Sequence, residues 1–271
     1  MLVLKIGGSL ATRKHRPYTP DLATVRRLAG ECGQAAARSR RSIIVVHGTG
    51  SFGKPPAVEF GYLDGRLAGD RVAVVSRVEG VLDELRRAVV DQLRDAGLSA
   101  LRVDAVSHFR VDGGRLVDAD LSAVAALLAR GVTPVLSGAI VPDRAGGFSV
   151  LSSDNIAARA AIDLAAERLV FATDVPGVLA ADGTLIERVP AEHDGAMAVV
   201  SGDALDVTGA MSGKLGAARA AADLGVQVTI VDGTVPGRVR DSLCGEWTVG
   251  TQLWAGRRER ASTAGGEPDS F

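Results

Sequence analysis

Met1-Leu2-Val3-Leu4-Lys5-Ile6-Gly7-Gly8-Ser9-Leu10 opens the chain. Its nearly continuous apolar run, of strand length, suits a β-strand covered on both faces. The run closes on a lysine and two glycines. Glycines let backbone N–H groups approach an anion, and a lysine can neutralise it. Two distant stretches repeat the combination: His47-Gly48-Thr49-Gly50-Ser51-Phe52-Gly53-Lys54 and Thr208-Gly209-Ala210-Met211-Ser212-Gly213-Lys214. One such stretch says little. Three in one chain suggest a long polyanion gripped at several points, such as a nucleoside triphosphate meeting an anionic acceptor.

Outward from Leu2–Ile6, similar short apolar runs recur at 42–46, 100–104, 133–136, 168–172 and 227–231. Between them, Ala/Leu/Arg-rich stretches predict helices over 20–38, 70–96, 119–130, 154–166 and 209–224. Thr19-Pro20-Asp21, Asp118 to Asp120 and Ser152 to Asp154 supply helix-start signals. This alternation predicts an α/β fold, a three-layer αβα sandwich around a mostly parallel open sheet. Two stretches break the rhythm. Residues 109–117 carry Asp112-Gly113-Gly114 and 140–150 carry Asp143-Arg144-Ala145-Gly146-Gly147, both turn chemistry for hairpins. They either border a substrate pocket or fill out a sheet edge. Residues 256–271 are polar and aperiodic and read as a disordered tail, which leaves 1–255 as one domain.

The composition narrows the function classes. Of 271 residues, 46% are hydrophobic and 23% charged, and the formal net charge is −1, which gives no global basic field for nucleic acid or an anionic membrane. No apolar run approaches bilayer-spanning length. The chain begins directly on a strand pattern, leaving no room for a signal peptide. Cys32 and Cys244 are too few and too far apart for a disulfide framework or a zinc site. A cytoplasmic protein acting on a small anion is expected.

Gly48 to Gly53 fits G-x-G-x-x-G, and Gly48 to Lys54 fits most of a P-loop. The P-loop needs a hydroxyl residue after the lysine for Mg²⁺ and a helix immediately behind it. Pro55-Pro56 stand there instead, and they are expected to push Lys54 out of helical geometry and obstruct that helix. The dinucleotide reading meets the same obstacle and finds no acidic residue ending a clear next strand. What survives is a strand delivering an N–H-rich loop tipped by a lysine. Taken alone, it is either an anion site or a glycine-rich turn without a ligand.

The set of segments is more specific than any one of them. Leu4-Lys5-Ile6-Gly7-Gly8-Ser9-Leu10, Val45-Val46-His47-Gly48-Thr49-Gly50-Ser51-Phe52-Gly53, Phe171-Ala172-Thr173-Asp174-Val175-Pro176-Gly177-Val178 and Val207-Thr208-Gly209-Ala210-Met211-Ser212-Gly213-Lys214-Leu215 follow one another at suitable spacings. Pro236-Gly237-Arg238-Val239 and Gly245 to Gly250 add to them. Together they resemble the amino acid kinase superfamily, and within it the isopentenyl phosphate kinases and the related fosfomycin kinases. The resemblance spans residues 1–255 and implies an acceptor side mainly in 1–150 and a nucleotide side mainly in 151–255.

It also implies site roles. Lys5 and Lys214 would stabilise the transferring phosphoryl group, with Asp154 holding both in register and Lys14 contacting the donor phosphates. ATP would be bound by Lys5, Gly7, Gly8, Ser9, Thr173, Asp174, Gly177, Gly209, Met211, Gly213 and Lys214, with Thr173 to Gly177 bordering base and ribose. The acceptor would meet Gly48, Thr49, Gly50, Gly53, Lys54 and Gly138. Mg²⁺ would accompany ATP, held chiefly by phosphates and water. A homodimer is implied as well. Each residue has a plainer reading: a strand-end or surface lysine, a helix cap for Asp154, a solvated basic run for Arg13-Lys14-His15-Arg16, a satisfied structural histidine for His47.

Two departures from the family pattern bear on the acceptor. Lys54 stands where isopentenyl phosphate kinases place a histidine against the acceptor phosphate. Ala139, after Pro134-Val135-Leu136-Ser137-Gly138, stands where an aspartate is usual. An ATP-dependent kinase of a small phosphate monoester is the expected function. A phosphonate kinase and a nucleotide-binding regulator without catalysis are the alternatives, and uridylate or acetylglutamate kinase roles fit the Ser51-Phe52-Gly53 turn less well.

Overall fold

A computed structural model of the chain describes residues 1–180, 182–190 and 210–254. β1 (Leu2–Ile6) runs into a one-turn helix, α1 (Gly8–Ala11), and then α2 (Leu22–Ser39). β2 (Ile43–His47) leads through a 3₁₀ turn at Gly50–Phe52 to α3 (Lys54–Glu59), the short β3 (Arg66–Leu67) and the long α4 (Val72–Asp95). Then come β4 (Ala100–Arg102), α5 (Ala105–His108), β5 (Phe109–Asp112), β6 (Arg115–Ala119), α6 (Ser122–Leu128), β7 (Thr133–Ser137), β8 (Ala139–Pro142) and β9 (Phe148–Leu151). The remainder is α7 (Ser153–Asp163), β10 (Arg168–Thr173), β11 (Arg188–Pro190), α8 (Ala210–Asp223), β12 (Gln227–Asp232), α9 (Arg238–Cys244) and β13 (Gly250–Trp254).

Eight strands form the main sheet in the order β11-β13-β12-β10-β1-β2-β7-β4. From β12 to β4 every neighbouring pair is parallel, and β13 reverses direction against β12. The sheet is therefore mostly parallel, as the apolar strand runs predict. Strand alternation sorts the core into two layers. Leu2, Leu4 and Ile6 join a buried cluster with Val25 and Leu28 of α2, Leu82 and Leu85 of α4, and Val239 of α9. Val3 joins a second cluster with Ile156 and Ala160 of α7 and with Leu215 and Ala218 of α8. Period-two alternation puts Lys5 on the Val3 face, beneath α7 and α8.

The structure revises several expected boundaries. The helix predicted over 119–130 shortens to Ser122–Leu128, and Asp120 Oδ1 accepts a hydrogen bond from Ser122 N at its start. The strand predicted over 100–104 ends at Arg102. Both hairpins form: β5 pairs with β6 across Gly113 and Gly114 at positive φ, and β8 pairs with β9. The Asp143 carboxylate ties them together, accepting from Gly113 N, Gly114 N, Ala145 N and Ser149 Oγ. The tail 256–271 lies outside the described residues.

One expectation is overturned. Pro55 and Pro56 do not block a helix; α3 begins at Lys54 with both prolines in its first turn. First-turn N–H groups have no intrahelical acceptor, so proline loses nothing there, and its fixed φ already suits the helix.

Candidate active site

The parallel strands β10, β1, β2 and β7 end at one edge of the sheet and deliver the Thr173-Asp174, Gly7-Gly8, Gly48-Thr49-Gly50 and Ser137-Gly138 segments side by side. Ligands of open α/β sheets bind at such carboxyl edges. Here a cleft of about 580 Å³ opens, walled by Lys5, Gly7, Gly8, Ser9, Lys14, Gly48, Thr49, Gly50, Lys54, Asp154, Thr173, Asp174, Met211 and Lys214. Val175, within the Thr173 to Gly177 stretch expected at the nucleotide, also lines the wall, and Thr12, Pro17, Ser51, Pro55 and Ser153, which sequence reasoning did not single out for the site, complete it.

At its base lies a buried charge triad. Lys5 is 4% exposed and its Nζ stands 2.6 Å from Asp154 Oδ1. Lys214, 6% exposed, donates to both Asp154 oxygens at 3.1 and 3.3 Å. Asp154 occupies the first turn of α7, where the helix dipole favours an anion, but the capping hydroxyl is Ser152, which accepts from Asp154 N. The helix-cap reading of the Asp154 side chain is thus replaced by an ion-pair role. Burial raises the Asp154 carboxyl, and the two ammonium groups outweigh it, leaving it below the usual range. Burial lowers the Lys214 ammonium, Lys5 adds to the effect, and Asp154 only partly offsets them; the result is about 8. Two cations against one anion leave net positive charge facing the cleft.

A second carboxylate organises the mouth. Asp174 accepts from Ser9 Oγ at 2.7 Å and pairs with Lys14 Nζ at 2.7 Å. The resemblance placed Asp174 beside base and ribose. In the structure it faces the β1 loop and Lys14.

The two glycine loops touch backbone to backbone. A Cβ on Gly8 would lie 2.5 Å from Gly50 N, and one on Gly48 would lie 2.6 Å from Gly8 N. Gly50 has φ +46° and an added Cβ would strike Thr12 Oγ1 and Gly8 O. Thr12 knits the loops together, donating to Gly8 O and accepting from Ser51 N, both at 2.8 Å. Lys54 is exposed at the rim, at the start of α3.

Some expected site glycines support the wall from behind. Gly53 packs under Thr49, Gly138 rests against Thr49 and Ser153, and Gly177 lies against Thr251 and Leu185. Gly213 is exposed on α8 with open space around its Cα. Gly209 lies outside the described residues. His47 is buried, and only half of the structural reading holds: Nδ1 donates to Gly48 O at 3.0 Å while Nε2 has no protein partner. Burial pushes it down to about 4, so the ring is neutral at pH 7.

The sequence profile of the Amino acid kinase family matches residues 1–232. The chain belongs to the amino acid kinase family. It is 32% identical to isopentenyl phosphate kinase of Methanothermobacter thermautotrophicus over 268 residues, covering 93% of this chain and 98% of that one. Against the Haloferax volcanii isopentenyl phosphate kinase the identity is 34% over 215 residues, 79% of this chain and 86% of that one. A crystal structure of an isopentenyl phosphate kinase superposes with TM-score 0.78 at 30% identity, covering 93% and 99% of the two chains. The α/β fold with its mostly parallel eight-stranded sheet is that of an amino acid kinase, and membership in this kinase family implies ATP as donor.

Among the described residues, no helix is long and apolar enough to cross a membrane, and no group of three or more His, Cys, Asp or Glu side chains could hold a metal ion. Both cleft carboxylates, Asp154 and Asp174, are already engaged by lysines.

Proposed function

We propose that this protein is an ATP-dependent kinase of a small phosphate monoester, of the isopentenyl phosphate kinase type. The observation that carries the reading is the Lys5–Asp154–Lys214 triad at the base of a cleft walled by two interlocked glycine loops. An acceptor phosphate is already ionised at neutral pH, so its oxygen needs no general base. That oxygen forms the new bond to the γ-phosphorus as the bond to the β,γ-bridging oxygen breaks and ADP leaves with the electron pair. The barrier is the approach of two anions and the charge on the transferring group, and positioned cations and N–H groups lower it.

Lys5 and Lys214 would meet the charge on the β- and γ-phosphates, with Gly8 and Ser9 amides beside them and Lys14 at the mouth, on the carboxylate that Ser9 also binds. Gly48, Thr49 and Gly50 would present amides to the acceptor, and Lys54 would clamp its anion. Magnesium would arrive with the triphosphate and neutralise part of its charge. Among the described residues both cleft carboxylates hold lysines, so phosphates and water would hold the ion. The homodimer implied by the resemblance belongs to the same reading.

Lys54 favours one second reading, transfer to a small phosphonate. A lysine is a longer, more mobile point charge than a histidine and suits an acceptor differently placed. Coupled ADP release measured with isopentenyl phosphate and with fosfomycin separates the two. Turnover of the first supports the main reading; turnover of fosfomycin alone replaces it with the second. ATP binding with no transfer to either, or to a wider panel of small acids, would point to a regulator.

A further inference from the structure

Arg86 belongs to α4, outside the cleft wall, yet it is 6% exposed and fully engaged. Its Nε donates to Ser137 Oγ at 2.8 Å and its Nη2 to Gly138 O at 3.3 Å. Its Nη1 pairs with Asp83 at 2.7 Å and with Glu79 at 2.8 Å. Glu79 spends its other oxygen on the same turn, accepting from Ile140 N at 2.7 Å. Ser137 Oγ in turn donates to Gly138 O at 3.0 Å. The backbone from Ser137 to Ile140 is thereby held to α4 by one buried guanidinium and its carboxylate partner.

The other side of this turn is the back of the cleft. Gly138 N donates to His47 O, at the end of β2. A Cβ placed on Gly138 would lie 3.4 Å from Thr49 Cγ2 and 3.6 Å from Ser153 N. Thr49 carries the glycine loop, and Ser153 opens the helix whose next residue is Asp154. A planar guanidinium suits this task, because several donors in one rigid fork fix a turn that a single ammonium point charge would not.

We propose that Arg86 is a positioning residue: by fixing the Ser137-Gly138-Ala139 turn it sets the distance between the acceptor loop at Thr49 and the lysine-bearing base at Asp154. This rests on the kinase reading for its kinetic consequence, though not for its structural one. A misplacement of about 1 Å between reacting groups costs on the order of 10²-fold in rate.

The test uses the full chain with Arg86→Ala, Arg86→Lys, Ser137→Ala and Glu79→Gln. Steady-state kinetics is run with ATP and the acceptor the wild type turns over, with and without added guanidinium. Hydrogen exchange is followed at the amides of 48–51 and 153–155. Arg86→Ala is expected to lower kcat by roughly 10- to 100-fold with the KM for ATP nearly unchanged. Guanidinium should restore part of the loss, and Arg86→Lys should not. Exchange should quicken at both segments and not in α2 or α9.

A folded Arg86→Ala protein with wild-type kcat and unchanged exchange at both segments overturns the proposal. So does a loss of activity that comes with a uniform fall in stability and no guanidinium rescue. If Arg86→Ala does not fold, Ser137→Ala and Glu79→Gln decide: a lowered kcat with local exchange at 48–51 supports the role, and wild-type values in both end it. A wild type that transfers phosphate to nothing refutes the kinase reading alone, and the exchange arm still decides whether Arg86 fixes the two segments.

Discussion

Asp154 sits between two buried ammonium groups, and that arrangement makes opposite demands on stability and on ligand binding. Converting it to asparagine keeps the shape and leaves Lys5 and Lys214 facing each other uncompensated. Breaking a buried pair from one side costs about 3–5 kcal/mol. Asp154→Asn should therefore lower the thermal midpoint in the absence of nucleotide and lower kcat by on the order of 10²–10³. ATP should recover more of the midpoint than it adds to the wild type, since the triphosphate supplies the missing negative charge. Differential scanning fluorimetry with and without a non-hydrolysable ATP analogue reads this directly. Equal ATP shifts in the two proteins would mean that Asp154 does not hold the lysines for the phosphates.

Lys214 gives a pH prediction. Its folded pKa is lowered to about 8, so in the free protein the ammonium is present below that pH and is lost as pH rises through it. Bound triphosphate favours the charged form, so ATP binding near pH 8 should take up protons. kcat/KM for ATP should fall with an apparent pKa of about 8, while kcat holds to higher pH. Calorimetry in buffers of different ionisation enthalpy measures the uptake. Lys214→Arg should remove it, because a guanidinium stays charged throughout.

At this scale the sequence was informative where a residue's chemistry matched a motif. Lys5, Lys214, Asp154, Lys14 and Lys54 were all legible as site residues, and all five line the cleft. Thr12 and Arg86 were not. A threonine in a loop and an arginine in an amphipathic helix carry no signal until the partner backbone groups at Gly8, Ser51 and Gly138 are in place.

Among the elements, the contact of the two glycine loops is the least forgiving feature. Gly8→Ala would push a methyl group into the backbone of Gly50 at 2.5 Å, where no side chain can move aside. The loops must separate, and kcat should fall by about 10²-fold or more while the sheet and its helices stay folded. Circular dichroism beside the kinase assay checks both halves; a Gly8→Ala protein with near-normal kcat would show that the loop spacing is not critical.

Pro55 and Pro56 belong to this scale too. Reading them as helix breakers rested on the restriction that proline puts on the residue before it, which disfavours helical geometry at Lys54 without forbidding it at a helix start. In the first turn they restrict the unfolded chain instead. Replacing each by alanine should cost about 0.4–1 kcal/mol of stability, measurable by denaturant unfolding. It should also raise the KM for the acceptor, since α3 aims Lys54. An unchanged acceptor KM would argue that Lys54 is placed by something else.

For the whole molecule, the cleft gathers residues 5, 14, 49, 54, 154, 174 and 214 from almost the full length of the chain. A ligand that spans them ties β1, the β2 loop, the end of β10, α7 and α8 together. Saturating ATP, at about 100 times its Kd, should stabilise the folded state by about 2.7 kcal/mol globally. Hydrogen exchange should then slow in α7 and α8 as well as in the β2 loop. Protection confined to one half would mean that the nucleotide does not bridge the triad.

The sequence by itself determined the class of fold and the kind of chemistry. Apolar runs of strand length alternating with helical stretches suit a sheet covered by helices on both faces, and three glycine-lysine segments in one chain, ambiguous singly, together suit a polyphosphate. Tertiary structure decided which of those segments meet, and how. Strand order places β10, β1, β2 and β7 side by side, and side-chain alternation turns Lys5 toward α7. The strand order rests on pairings such as Leu2 with Arg168 and Val45 with Val135, between residues far apart in the chain, and no local pattern encodes them.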